Sequence, residues 1–331
     1  MLKYIIKRIL WCIPVLLGVI FIVFAINRLV DTGDPVAAML GSNYTQEEYA
    51  AKEAELGLDQ PFFKQFYDYI VGLVTEGDMG ASYSTKRPVS LEIRERFPVT
   101  IKLALVSILI AVILGIPFGI ISATKQYSVA DYSVTTVSLI FAGMPGFWLA
   151  LMLMLLFSLE IKWFPASGLG TFKHWVLPAL ASGLSFIATI TRMTRSSMLD
   201  VVRQDYIRTA RAKGLSENKV ITRHALKNAL IPIITTIGFQ FGILVSGSVI
   251  VETIFSFPGL GTLMMTAITN RDYPVIQGCV IVLAALICII NLVVDLAYGF
   301  VDPRIMSQMT AGKKHRQKKA AAGAAAGKEA F

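Results

Sequence analysis

TIFSFPGLGTLMMTAITN, Thr253–Asn270, is the stretch on which the topology turns: it carries no charge for 18 residues. A membrane-crossing helix needs about 20 mostly apolar residues, so a crude filter would pass it as a span. Its interior argues otherwise. Phe257-Pro258-Gly259-Leu260-Gly261 puts a helix breaker and two glycines near its start, which marks a turn. Read as a span, it would make seven and put the basic C-terminal tail on the opposite face from the most basic loop. Read as a re-entrant or outer-side turn followed by a short amphipathic helix, it leaves six spans and puts both basic segments on the cytoplasmic face, as the bias of Lys and Arg toward that side requires. The six-span reading is therefore preferred.

The rest of the chain fits that count. Of 331 residues, 55% are hydrophobic and 16% charged, and the mean hydropathy is +0.63. The net charge of +9 lies between and after apolar runs, the pattern of membrane-protein loops and not of a nucleic-acid surface. Cys12, Cys279 and Cys288 fall inside apolar runs without metal-ligand spacing, which reads as core packing. Span one is Ile9 to Ile26 after Lys3, Lys7 and Arg8; it is long and lacks a cleavage site, so it reads as a retained helix with a cytoplasmic N-terminus. Span two covers Leu103 to about Thr124, with a kink expected at Pro117. Span three lies within Tyr132–Leu159, bent at Pro145-Gly146. Span four, Trp175–Thr191, is the least apolar; its small and hydroxyl residues suit helix packing within a bundle. Span five runs from about Ala229 to Val251 and span six from Tyr273 to about Tyr298. The fold expected is thus an all-α polytopic membrane protein of six helices.

Between spans one and two, Asp31–Pro98 carries twelve acidic residues against six basic, so it is placed outside. It reads as a small folded subdomain: Thr45 and Glu48 form a capping box, Gly57 ends that helix, and Pro61 opens another with Phe62, Phe66, Tyr69, Ile70 and Leu73 on one face. The organisation is then residues 1–30 as N-terminus and first helix, 31–98 as the outer subdomain, 99–300 as the core with a cytoplasmic loop at 192–228, and 301–331 as a basic tail, disordered over its Ala/Gly-rich part.

Arg192–Lys227 holds nine basic residues against three acidic. Either it lies on the anionic membrane surface or it docks a protein partner. Asp205–Lys213 can form a short helix with Tyr206, Ala210 and Lys213 or Thr209 on one face, closed by Gly214 in the left-handed region, with Ser216 capping the next helix. Ala210 and Ala212 keep the first helix slim, and it has no large apolar anchor, which favours docking. No phosphate-binding G-x-x-x-x-G-K-[ST], H-E-x-x-H or G-x-S-x-G is present, so nucleotide or hydrolytic chemistry of those kinds is not read on this chain. Asp295 is read as the one acidic residue well inside a late apolar run. An intramembrane carboxylate is a functional candidate by default, although a structural pairing with a nearby Arg is the favoured reading.

Ala210-Arg211-Ala212-Lys213-Gly214-Leu215 followed by His224-Ala225-Leu226-Lys227-Asn228-Ala229-Leu230-Ile231-Pro232 resembles the cytoplasmic EAA loop of ABC-importer permeases, in the form of the dipeptide, oligopeptide and nickel B-type subunits. The resemblance extends along nearly the whole chain, through Leu56–Pro61, Gly77–Gly80, Pro145–Trp148, Phe164–Gly168, Pro258–Gly261 and Asn270–Pro274 to Asp302-Pro303-Arg304. The glutamate position of the motif is held by Arg208 or Thr209, so no contact of that glutamate carries over. The resemblance implies a type I importer (MetI-like) permease fold in a bacterial or archaeal cell membrane, with both termini cytoplasmic. It implies a non-enzymatic transport subunit without a cofactor of its own. Its partners would be a second homologous permease, two ATPase subunits that bind ATP and Mg, and an outer solute-binding protein. It also implies an ATPase-coupling helix around Tyr206, Thr209, Ala210, Arg211, Ala212, Lys213, Gly214 and Leu215, and an outer turn at Pro258, Gly259 and Gly261 facing the binding protein. Short peptides are the expected cargo. Nickel, glutathione or another small solute is the nearest alternative, and a self-sufficient channel or carrier is the rival of a different class.

Overall fold

A computed structural model describes residues 2–29, 34–41 and 44–301; the basic tail lies outside the described residues. Among the described residues there is no β-strand, only an isolated bridge between Ala81 and Pro88. Five helices are long and apolar enough to cross a membrane, and the count rises to six when one bent pair is taken as a single span. These are α1 (Leu2–Leu29), α5 (Val89–Thr124), the pair α6 (Val129–Gly143) and α7 (Gly146–Met154), α8 (Phe172–Val202), α11 (Leu226–Gly247) and α14 (Tyr273–Val301). Short helices α2 (Pro35–Leu40), α3 (Gln46–Glu55) and α4 (Phe62–Thr75) fill the insert after α1. α9 (Asp205–Ala212) and α10 (Glu217–Lys219) sit between α8 and α11, while α12 (Val249–Ile254) and α13 (Leu260–Thr269) separate α11 from α14.

The bend between α6 and α7 is 97°. Met144 is held extended at ψ 125 and ends α6, since a following proline disfavours the helical region for the residue before it, and Pro145 then caps α7. Pro117 behaves differently: α5 runs as one helix through both Pro98 and Pro117. Its start at Val89 also lies well before the expected edge of span two, so the end of the acidic insert is the first part of a long helix.

α8 is the hub. Over its most apolar window 56% of the residues are buried, against 11% for α1. The span that looks weakest by hydropathy is therefore the most enclosed, and its polar residues are what allow this. Gly183 lies against α5 so closely that a Cβ would stand 2.6 Å from the Ser107 carbonyl oxygen. From the α5 side, a Cβ on Gly115 would meet Ile190 at 2.8 Å, and one on Gly119 would meet Thr194 at 2.4 Å. Gly115 and Gly119 form a G-x-x-x-G pair, the spacing that lets two membrane helices approach backbone to backbone. The Thr191 hydroxyl donates across the same seam to the Gly115 carbonyl at 3.3 Å.

In the insert, the capping box forms as its sequence requires. The Thr45 hydroxyl accepts from the Glu48 amide at 3.2 Å, and the Glu48 carboxylate accepts from the Thr45 amide at 2.8 Å. α4 lays Phe62, Phe66 and Tyr69 against Phe21 and Phe24 of α1, with centroids 5.3–6.1 Å apart. Asp272, at the α13–α14 junction, ties down the loop before α5. It accepts from the Ser82 hydroxyl at 2.5 Å and from the Tyr83 and Ser84 amides at 3.0 and 3.1 Å.

Candidate functional site: a surface helix and a buried turn

α9 is an eight-residue helix between α8 and the start of α11. A helix this short does not hold itself together; its position comes from packing. Ile207 is fully buried and Ala210 is 7% exposed, both in a cluster with Met198, Val220, Ile221, Ala225 and Ala229. This corrects the sequence expectation for Ala210. It does not share an outward face with Tyr206 and Lys213 but is turned into the protein, because Ile207 and Ala210, three apart, are the positions that meet the helix leading into α11. The outward face consists of Tyr206, Thr209, Ala212 and Lys213, all exposed, with Arg208 at its edge.

Lys213 caps α9 and Gly214 follows at φ +73. Nothing lies within 4 Å of where a Gly214 Cβ would be, so the glycine is required by the backbone and not by crowding. Arg211 spans the turn. Its Nε donates to Glu217 Oε2 at 3.0 Å and its Nη2 to Oε1 at 2.7 Å, a two-pronged pairing that fixes orientation as well as distance. The Glu217 carboxylate holds the Arg211 guanidinium above its usual range. Leu215 is half-buried against the same cluster. Ser216 precedes α10 without a side-chain capping bond, and α10 passes through a π-helical segment, Val220–Ala225, straight into α11. The surface helix is thus coupled through one turn to a membrane-crossing helix.

At the other end, Thr253–Asn270 does not cross as a span. α12 stops at Ile254, the chain turns with Ser256 at φ +53, and the ten-residue α13 begins at Leu260. Phe255 and Phe257 are each 1% exposed and enter the core beside Leu103 and Leu177, with Phe257 5.0 Å edge-on to Trp175. Pro258 is exposed at the apex, while Gly259 and Gly261 are buried.

The centre of this turn is Glu252, a residue the sequence reading passed over. It sits at the end of the predicted span five, and its carboxylate is fully buried. The Thr100 and Ser248 hydroxyls donate to Oε1 at 2.7 and 2.8 Å, and the Thr262 amide donates to Oε2 at 3.1 Å. Thr100 in turn accepts from the Leu260 amide at 2.8 Å. The backbone wraps the carboxylate so tightly that a Cβ on Gly259 would lie 2.4 Å from it, and one on Gly261 2.6 Å from the Val249 Cα. Asp295 is therefore not the sole buried acid of the late spans. It makes a two-pronged ion pair with Arg8 of α1, at 2.8 and 2.9 Å, and joins the first crossing helix to the last.

Residues 115–307 match the family described as "Binding-protein-dependent transport system inner membrane component", and residues 1–104 match the N-terminal region of such membrane components. The di/tripeptide transport system permease protein DppB of Pseudomonas aeruginosa is 41% identical over 337 residues, covering 93% of this chain and 100% of that protein. The oligopeptide transport system permease protein AppB of Bacillus subtilis is 41% identical over 316 residues, covering 92% and 99%. The glutathione transport system permease protein GsiC of Salmonella typhi is 41% identical over 305 residues, covering 92% and 99%. Among solved structures, the inward facing MetNI methionine ABC transporter shares the fold, with a TM-score of 0.56 at 16% identity over 64% of this chain and 97% of that one. The chain is a multi-pass membrane protein that belongs to the family of binding-protein-dependent transport system inner membrane components.

Proposed function

We propose that this chain is a permease subunit of an ATP-driven importer of di- and oligopeptides, and that α9 is where the motor grips it. The observation that carries the reading is the construction of α9. Its inner face is locked by Ile207, Ala210 and the Arg211–Glu217 pair, while Tyr206, Thr209, Ala212 and Lys213 are left exposed on a slim helix. A rigid helix end that continues through one turn into α11 can transmit a displacement. Two such helices, one per permease subunit, would be drawn together when two ATPase subunits close on ATP and Mg.

In this arrangement the termini and α9 face the cytoplasm, and the α2–α4 insert and the Pro258 apex face a solute-binding protein outside. A homologous second permease completes the pathway. Hydrolysis belongs to the ATPase subunits, and this chain carries none of it. The peptide assignment rests on relatives named for di/tripeptide and oligopeptide transport. A relative at the same identity named for glutathione transport makes that tripeptide the second substrate to test.

The experiment is uptake of a labelled dipeptide by cells dependent on this transporter, comparing wild type with Gly214→Val. A β-branched residue at φ +73 is strained by more than about 1 kcal/mol, which forces α9 out of register with α11. Uptake and co-purification of the ATPase should both fall. If both stay at wild-type levels, the coupling assignment is wrong.

A further inference from the structure

A cavity of about 220 Å³ lies where the C-terminal end of α1 meets α4, the loop before α5 and the first turn of α14. Its polar side chains are Asn27, Arg28, Tyr69, Tyr83, Tyr273 and Gln277, and no carboxylate lines it. Gln277 is 6% exposed, yet its Nε2, the Nδ2 of Asn27 and the hydroxyl of Tyr69 lack a well-formed hydrogen bond. Gln277 approaches the Tyr69 oxygen as a donor, and burial nevertheless pushes the Tyr69 phenol up to about 12, so its own O–H is still left to find an acceptor. Arg28 faces the Tyr83 hydroxyl and lies 5.4 Å from the Phe24 ring centre. The nearest acids are engaged elsewhere: Asp78 by the Gly80 amide at 2.8 Å, and Asp272 by the Tyr83 and Ser84 amides. Buried donors without acceptors are costly, at about 1–3 kcal/mol each. Several of them around one guanidinium define a place for a singly charged, acceptor-rich group.

The setting says which group. α1 is the least buried of the five unbroken crossing helices, so the cavity lies at the rim of the bundle and away from the α5–α8 seam. Asn27 and Arg28 end the span Ile5–Arg28, at headgroup depth. α4, which forms one wall, carries Phe63, Tyr67 and Val74 on a single outward face at 76%, 66% and 77% exposure, the pattern of a helix lying in a membrane interface. Phe24, Met39 and Leu56 add apolar wall.

We propose that this cavity seats the phosphodiester of a phospholipid headgroup from the leaflet that faces the α2–α4 insert. The phosphodiester supplies one negative charge for Arg28 and free oxygens for Asn27, Tyr69 and Gln277, and its glycerol and chains run out along α1 and α4. The lipid would pin α1 to the insert without contacting the transported solute.

The test uses the purified transporter complex in detergent and follows its apparent unfolding midpoint while titrating dihexanoyl-phosphatidylglycerol. Wild type should show a saturable rise. Arg28→Gln and, separately, Gln277→Leu should each weaken the apparent affinity at least tenfold while starting from a wild-type elution profile. Asn27→Leu serves as a third variant where either of those fails to fold. Inorganic phosphate and dihexanoylglycerol should each give no saturable rise. An equal rise with phosphate would reassign the cavity to a soluble anion and overturn the lipid proposal. An equal rise with dihexanoylglycerol, or unchanged affinity in the variants, would overturn the phosphodiester seat.

Discussion

Replacing Glu252 by alanine removes the acceptor at the centre of the re-entrant turn. Three donors point at this carboxylate: the Thr100 hydroxyl, the Ser248 hydroxyl and the Thr262 amide. The hydroxyls can rotate, and that of Ser248 is already 3.3 Å from the Val245 carbonyl. The Thr262 amide is fixed by the backbone and has no such freedom. One to three orphaned donors at about 1–3 kcal/mol each, plus a void where a fully buried side chain stood, give a loss of about 3–6 kcal/mol. That is a large share of the 5–15 kcal/mol typical of a folded domain. Glu252→Gln is the informative partner. Its carbonyl oxygen can take the Thr262 amide, and its NH2 can donate to hydroxyls that turn to accept, so the change should cost less than about 1 kcal/mol. The assay is thermal unfolding in detergent, followed by a thiol-reactive dye, since Cys279 is fully buried and reacts when the bundle opens. Alanine should lower the midpoint sharply and glutamine barely. Equal damage from both would mean that the charge, not the acceptor geometry, holds the turn, and a wild-type midpoint for alanine would refute the clamp altogether.

Further outcomes follow from the same geometry. Gly119→Ala places a Cβ 2.4 Å from that of Thr194 and 2.7 Å from the Thr191 carbonyl; overpacking of the α5–α8 seam should cost about 1–3 kcal/mol, read as a lower unfolding midpoint. Arg8→Ala should be more damaging than Asp295→Ala. The Asp295 side chain is 9% exposed and that of Arg8 49%, so removing Arg8 strips a buried carboxylate of its guanidinium, whereas Arg8 alone can reach water; paired midpoint measurements give the order. Cys12 of α1 and Cys288 of α14 lie side by side as free thiols, so copper phenanthroline should join them within one chain, seen by mass spectrometry as a cross-linked peptide pair.

Much of this arrangement was legible in the sequence because the membrane imposes it. Backbone polar groups cannot be left bare in lipid, so span positions follow from apolar length, and Pro145 and the Pro258-Gly259 pair mark the places where the chain must turn. Thr45 with Glu48, and Gly214 after α9, are local rules satisfied by a few neighbouring residues, and they form as read. What failed depended on contacts distant in sequence. Whether Ala210 faces in or out is decided by Val220, Ile221 and Ala225, not by its own helix. Glu252 went unread because its acceptor role is set by Thr100, about 150 residues away in the chain. Gly115 and Gly119 did carry a signal in their G-x-x-x-G spacing, but the spacing alone does not say which helix they approach. The low hydropathy of α8, by contrast, was read for what it is: small and hydroxyl residues lower apolarity while permitting close packing against α5.

The central claim is that the exposed face of α9 is the contact for an ATPase subunit. Thr209→Trp tests it most directly. Thr209 is exposed, on the side of α9 away from Ile207 and Ala210, so the indole adds bulk where a partner must seat and gives up only the hydroxyl's bond to the Asp205 carbonyl within its own helix. The measurement is the amount of ATPase that co-purifies with the permease, alongside the unfolding midpoint of the permease itself. The account predicts a wild-type midpoint with ATPase recovery reduced at least tenfold. Wild-type recovery with the tryptophan in place would contradict it.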